Sequence, residues 1–245
     1  MTSCGKTDVG KRRDSNQDNI FISDSPVGSL PNLYIVADGM GGHAAGDFAS
    51  RYAIQTVVDF VKKATVRNPI SLIRRALIHA NRELYVEAEK DAAKGGMGTT
   101  MVICVVDGMR LICGNIGDSR LYLINDEIRQ ITMDHSLVEE LIRNGQLERN
   151  KGRDHPEKNI ITRAMGSRDE AIPDFFEISL SPGDRILLCS DGLSNMVEND
   201  ELREIVREHE DVQEAVDALI ERANYYGGND NISAIVIATD TDQPG

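Results

Sequence analysis

Apolar residues along this chain fall into two rhythms. Short runs rich in Val, Ile and Leu at 19–23, 33–37, 99–106, 110–114, 120–124, 128–131, 185–189 and 232–238 are bounded by Gly, Asp or Asn and predict strands. Longer stretches repeat near every 3.6 residues and predict helices. One covers 46–64 through Phe48, Tyr52, Val57 and Val61, and another covers 70–92 through Ile73, Leu77, Ala80, Leu84 and Ala88. A third covers 211–225 through Val212, Ala215, Val216, Leu219 and Ala223, with Asp211 as its N-cap and Gly227-Gly228 as its stop. Asp107-Gly108 and 125–127 are short connections between strands, which implies antiparallel pairing. Helices precede and follow a block of hairpins instead of alternating with single strands, so the pattern is α+β. Two sheets packed together with helices outside would bury all of these faces.

The segment 132–174 breaks the rhythm. It holds one short helical pattern at 137–141 and then a polar stretch rich in Arg, Asn, Asp and Gly. It reads either as a surface excursion or as a flap beside a site.

At 245 residues the chain fits a single domain spanning 1–245, and 40% hydrophobic with 27% charged residues is globular composition. Its net charge of −13 disfavours a nucleic-acid or anionic-membrane surface, which needs clustered Lys and Arg. No apolar run approaches the roughly 20 residues that span a bilayer, and 1–14 lacks the apolar core of a signal peptide. Cys4, Cys104, Cys113 and Cys189 form no CxxC pair, and the last three sit in apolar runs, so they read as reduced thiols. A cytoplasmic protein is expected.

Aspartates recur at the ends of the apolar runs. Asp38-Gly39 and Asp191-Gly192 each follow a strand pattern, Asp18 and Asp230 each shortly precede one, and Asp118 lies between two. A single Asp-Gly is usually a turn, as Asp107-Gly108 illustrates. However, neither Asp38-Gly39 nor Asp191-Gly192 is followed by a returning strand. Carboxylates without cationic partners resist full ionisation when gathered together, and a hard divalent ion resolves that conflict with oxygen ligands. Zinc-type His/Cys spacing and an EF-hand loop are both absent from the sequence. Hard metals on carboxylates point to metal-assisted hydrolysis of a phosphate ester.

Arg13 with Asp18, then 36–47 (VADGMGGHAAGD), 98–106 (GTTMVICVV), 114–124 (GNIGDSRLYLI), 134–142 (DHSLVEELI), 159–166 (NIITRAMG), 187–197 (LLCSDGLSNMV) and 228–237 (GNDNISAIVI) resemble, in order, the motifs of the bacterial PPM/PP2C family of metal-dependent protein serine/threonine phosphatases. The resemblance implies an α-β-β-α sandwich, two antiparallel sheets flanked by helices, with 132–174 as the flap segment. It implies Mn²⁺ or Mg²⁺ as cofactor: Asp38 bridging two ions, the Gly39 carbonyl on one of them, Asp191 and Asp230 completing the set, Asp18 acting through bound waters, and Asp118 with Asp191 holding a third ion. It implies that Arg13 grips the substrate phosphate, and that a metal-activated water hydrolyses phosphoserine and phosphothreonine. It further implies phosphoprotein substrates, an opposing bacterial Ser/Thr kinase and a monomer. Gln17 and Met40 depart from eukaryotic members, which carry an acidic residue and a histidine there, so the proton donor to the leaving group is left open. His43 is a minor candidate for it, whereas His79, His135, His155 and His209 read as structural or exposed. A phosphoprotein-binding module and a hydrolase of small phosphate esters are the alternatives.

Overall fold

The computed structural model describes residues 1–42, 45–91 and 94–239. Its strands are β1 (Thr2–Asp8), β2 (Asp18–Ser23), β3 (Leu33–Met40), β4 (Gly98–Thr99), β5 (Met101–Asp107), β6 (Arg110–Ile116), β7 (Arg120–Ile124), β8 (Ile128–Gln130), β9 (Asp174–Ser179), β10 (Arg185–Cys189) and β11 (Ile232–Ala238). Its helices are α1 (Ala45–Lys63), α2 (Pro69–Lys90), α3 (Leu137–Arg143), α4 (Asp191–Ser194), α5 (Asn199–Glu208) and α6 (Val212–Tyr225). One sheet runs β1-β11-β10-β7-β8 and the other β2-β3-β5-β6-β9, with β4 added beside β3. Every ladder is antiparallel.

Alternation along the strands builds three apolar layers, because successive side chains leave a strand on opposite faces. From β3, Tyr34 and Val36 join the layer between the sheets, while Leu33, Ile35 and Ala37 pack under α1 and α2. From β10, Ile186 and Leu188 enter the middle layer, while Leu187 and Cys189 meet the layer under α4, α5 and α6. Both central strands are therefore buried on two faces, which explains why their sequences read as continuous apolar runs. The expected sandwich of two antiparallel sheets between helical layers is the observed one.

Most predicted elements sit where expected, and the differences have physical causes. The apolar positions predicted for α2 (Ile73, Leu77, Ala80, Leu84 and Ala88) and for α6 (Val212, Ala215, Val216, Leu219 and Ala223) are buried. Asp211 caps α6 by accepting from the amides of Gln213 and Glu214. On α1 the buried stripe is Ala49, Ala53, Val57 and Val61, whereas Phe48 and Tyr52 stack on each other at its margin. The strand expected at 33–37 continues to Met40, because Gly39 and Met40 pair with Thr99 and Gly98. β1 and β9 were not expected. β1 (TSCGKTD) is a polar edge strand with no apolar period, and β9 follows a proline at the end of a polar stretch. The hairpin at 107–110 turns on Gly108-Met109, with Asp107 still paired to Arg110.

The end of the segment 132–174 belongs to the core. Met165 is fully buried and exchanges both backbone hydrogen bonds with Thr99. Asn81 of α2 accepts from the Gly166 amide and donates to the carbonyls of Arg168 and Asp169. Residues 137–160, with α3 and the 3-10 turn Arg149–Lys151, form its outer part. Cys104, Cys113 and Cys189 are buried, Cys4 is half-buried, and all four are free thiols.

Close backbone approach fixes α4 against the start of β11: a Cβ on Gly192 would run into the Asn231 carbonyl. Gly192→Ala should therefore lower the unfolding free energy by about 1–3 kcal/mol, the usual cost of overpacking. Urea denaturation followed by circular dichroism measures this, and an unchanged midpoint would contradict the packing.

Candidate metal centre

The two sheets bring the five aspartates to one edge of the sandwich. Asp18 opens β2 and stands directly across from Asp38 on β3. Asp191 is the first residue of α4, immediately after β10, and Asp230 stands two residues before β11. Asp118 lies in the turn between β6 and β7. Asp38 feels the charges of Asp18, Asp191, Asp118 and Asp230, and lies within hydrogen-bonding reach of Asp191. Every strand-end aspartate singled out from the sequence is thus part of one cluster.

Asp18 and Asp191 each have one carboxylate oxygen held by the protein and the other left open, while Asp38 is fixed through its backbone. Asp18 is buried, and its Oδ2 accepts from the hydroxyls of Ser190 and Ser233, both at 2.7 Å. Asn195 Nδ2 donates to Asp191 Oδ2 at 3.0 Å. The Asp38 amide donates to Thr100 Oγ1, which is itself 2.7 Å from Ser119 Oγ, and the Asp38 carbonyl accepts from the Thr99 hydroxyl and the Thr100 amide. By contrast, Asp18 Oδ1, Asp118 Oδ1 and Asp191 Oδ1 are buried without any hydrogen-bond partner. Buried acceptors are rarely left in this state, because each forfeits its hydration without replacement.

Electrostatics express the same strain. Burial, reinforced by Asp191 and Asp230 and opposed by the two serine hydroxyls, lifts Asp18 to about 7. Burial and the charge of Asp230 lift Asp191 to about 6. Burial and its four acidic neighbours push Asp38 well above the ordinary carboxylate range, and burial with Asp191 and Asp134 does the same to Asp118. Two arginines come near. Arg120 is held by Asp134 through Nε and Nη2, at 3.1 and 2.7 Å. Arg13, about half-exposed, donates from Nη2 to Asp230 Oδ2 at 2.7 Å and lies in the field of Asp38 and Asp191.

The donor set fits hard divalent cations: all oxygen, mostly anionic, with three buried oxygens left unpartnered. Among the described residues no three acidic, His or Cys side chains already converge into a closed cage. Gly39 supplies a backbone carbonyl next to Asp38, and it packs against Gly46 so tightly that neither position has room for a Cβ.

Sequence reasoning missed the supports: Ser190, Ser233, Thr100, Ser119 and Asn195. Ser190 adjoins Asp191 and Ser233 follows Asp230 by three residues, yet both bond to Asp18, and only the fold discloses that. Of the histidines, His43 lies outside the described residues. His79 packs on Phe60, the Nδ1 of His209 bonds to the Ile205 carbonyl, and His155 accepts from the Glu157 amide. His135 is buried.

Known proteins resemble this chain over nearly its whole length. A serine/threonine phosphatase stp from Listeria monocytogenes is 38% identical over 245 residues, covering 98% of this chain and 96% of its own. The crystal structure of serine/threonine phosphatase Stp1 from Staphylococcus aureus superposes with a TM-score of 0.91 at 32% identity, covering 97% of this chain and 94% of that one. The catalytic domain of the serine/threonine protein phosphatase PstP, solved with two manganese ions, superposes with a TM-score of 0.85 at 31% identity over 98% of both chains. The family model described as Protein phosphatase 2C matches residues 9–236. The chain therefore belongs to the protein phosphatase 2C family and is a protein serine/threonine phosphatase.

Proposed function

We propose that Asp38, Asp191 and Asp230, with the Gly39 carbonyl and with Asp18 acting through water, hold two divalent ions, Mn²⁺ or Mg²⁺, and that Asp118 and Asp191 hold a third more weakly. The observation carrying this reading is the set of buried, unpartnered oxygens on Asp18, Asp118 and Asp191. Such ions supply Lewis acidity, which activates water for attack on phosphorus and offsets charge on the phosphoryl oxygens.

The chain's own residues divide the remaining work. Ser190 and Ser233 orient Asp18, Asn195 orients Asp191, and Thr99 with Thr100 fixes the Asp38 backbone. Arg13 is the phosphate-binding residue in this reading. Its guanidinium is already drawn to the cluster by Asp230, and its planar fork can take two phosphoryl oxygens. Met40 has no exchangeable proton, so that position does not protonate the leaving oxygen. Cys189, although two residues from Asp191, is buried and its thiol is pushed up to about 12, which removes it as a nucleophile.

The substrates are phosphoserine and phosphothreonine in proteins, and in this reading they are the products of an opposing Ser/Thr kinase. No helix among the described residues is long and apolar enough to cross a membrane. In this reading the enzyme is a monomer that acts in the cytoplasm, a compartment that keeps thiols such as Cys104, Cys113 and Cys189 reduced.

Asp38→Asn should retain the fold and lose activity by roughly 10²–10³-fold, the scale of removing one major electrostatic contributor. Phosphate release from a phosphothreonine peptide under Mn²⁺ titration measures it, and near-wild-type turnover would refute the assignment.

A second expectation concerns pH. The raised carboxylates bind more protons in the folded state than in the unfolded one, so without metal their contribution to stability falls as pH rises from about 4 to about 7. The metal-free protein should melt at a higher temperature at pH 5 than at pH 8, and saturating Mn²⁺ should remove or reverse this trend. Asp38→Asn should flatten it without metal. Scanning calorimetry tests both, and an identical slope in wild type and variant would contradict the account.

A further inference from the structure

His135 is the one buried histidine among the described residues, with its side chain only 1% exposed, and the chemistry proposed above makes no use of it. It closes a two-point clasp on Gly117, the residue before Asp118. The Gly117 amide donates to His135 Nδ1 at 3.1 Å, and the His135 amide donates to the Gly117 carbonyl at 2.9 Å. Asn115 Nδ2 donates to the same carbonyl at 3.2 Å. Gly117 has φ +107° and no room to shift, since a Cβ there would lie 2.6 Å from the Thr100 side chain. Thr100 in turn accepts the Asp38 amide.

These contacts fix the imidazole's proton. A backbone N–H can only donate, so Nδ1 must present its lone pair to Gly117. The ring's single proton then sits on Nε2, 3.0 Å from Asp174 Oδ2, and is donated to that carboxylate. The other oxygen of Asp174 accepts from Arg163 Nη1 at 3.2 Å, and the His135 carbonyl accepts from the Thr162 amide. One neutral tautomer is therefore held from both sides, between the turn that carries Asp118 and residues 162–163 of the flap segment.

The consequence falls on Asp118. Its Oδ1 is buried and without a hydrogen-bond partner, so that oxygen does not anchor the side chain. The backbone that carries it is anchored, through the clasp on Gly117. We propose that His135 is a positioning residue: as the Nε2–H tautomer it sets the Gly117-Asp118 peptide plane, and thereby the direction in which Asp118 presents its carboxylate to a divalent cation. This rests on the reading of Asp118 as a metal ligand. It resembles the outer-shell support that orients ligating side chains in metal sites generally.

Two amide side chains separate the two contacts, because the Asn oxygen falls about where Nδ1 stands and the Gln amide reaches about where Nε2 stands. The experiment compares His135→Asn, His135→Gln and Asp118→Asn with wild type by calorimetric Mn²⁺ titration and by the electron paramagnetic resonance signal of free Mn²⁺. Circular dichroism of the metal-free proteins monitors the fold. His135→Gln and Asp118→Asn should each weaken the weakest Mn²⁺ site by about tenfold or more, while His135→Asn should stay within about threefold of wild type. If Asp118→Asn weakens binding and His135→Gln does not, or if His135→Asn is as weak as His135→Gln, the positioning role is overturned. If Asp118→Asn leaves Mn²⁺ binding unchanged, the ligand reading fails and the inference with it. A measurement on the wild-type protein is independent of how the variants fold. Long-range ¹H–¹⁵N spectra at pH 7 should show His135 protonated at Nε2 and bare at Nδ1, and a proton on Nδ1 would overturn the proposal.

Discussion

Mutual repulsion among crowded carboxylates is the constraint on which this structure turns. A folded chain gains nothing from gathering Asp18, Asp38, Asp118, Asp191 and Asp230 at one edge of two sheets. Burial and like charge raise the four most enclosed of them, and three of their oxygens find no donor. The rest of the molecule supplies the stability that tolerates this arrangement. Three apolar layers, fed by strands buried on both faces, lock the backbone on either side of the cluster. In the proposed reading, cations rather than protein donors complete the site.

The sandwich suits this purpose because its centre is formed by strand ends. β2 and β3 deliver Asp18 and Asp38 from one sheet, while β10 and β11 deliver Asp191 and Asp230 from the other. Hydroxyl bridges tie the two sheets together at this level, since Ser190 and Ser233 of one sheet both bond to Asp18 of the other. Strained polar chemistry is thus held by rigid elements, and small residues such as Gly39, Gly46 and Gly192 let those elements approach closely.

Much of this was legible in the sequence, for identifiable reasons. Buried strands announce themselves as Val- and Ile-rich runs, and α2 and α6 as 3.6-residue periods. Asp38-Gly39 and Asp191-Gly192 stood out because no hairpin partner followed them. What stayed hidden was set by tertiary context. β1 is polar because it is an edge strand, so TSCGKTD carries no period to read. The continuation of β3 through Gly39 and Met40 depends on β4, a two-residue partner. The clasp of His135 on Gly117 joins residues 18 apart in the chain, and a lone histidine gives no sign of which backbone group it will meet.

The most direct test of the metal centre is an anomalous difference map from a crystal grown with Mn²⁺. The account predicts two strong peaks beside Asp38, bounded by Asp191 and Asp230, and a weaker third between Asp118 and Asp191. Peaks elsewhere, such as on the Asp134 and Glu139 carboxylates, with none beside Asp38, would contradict it.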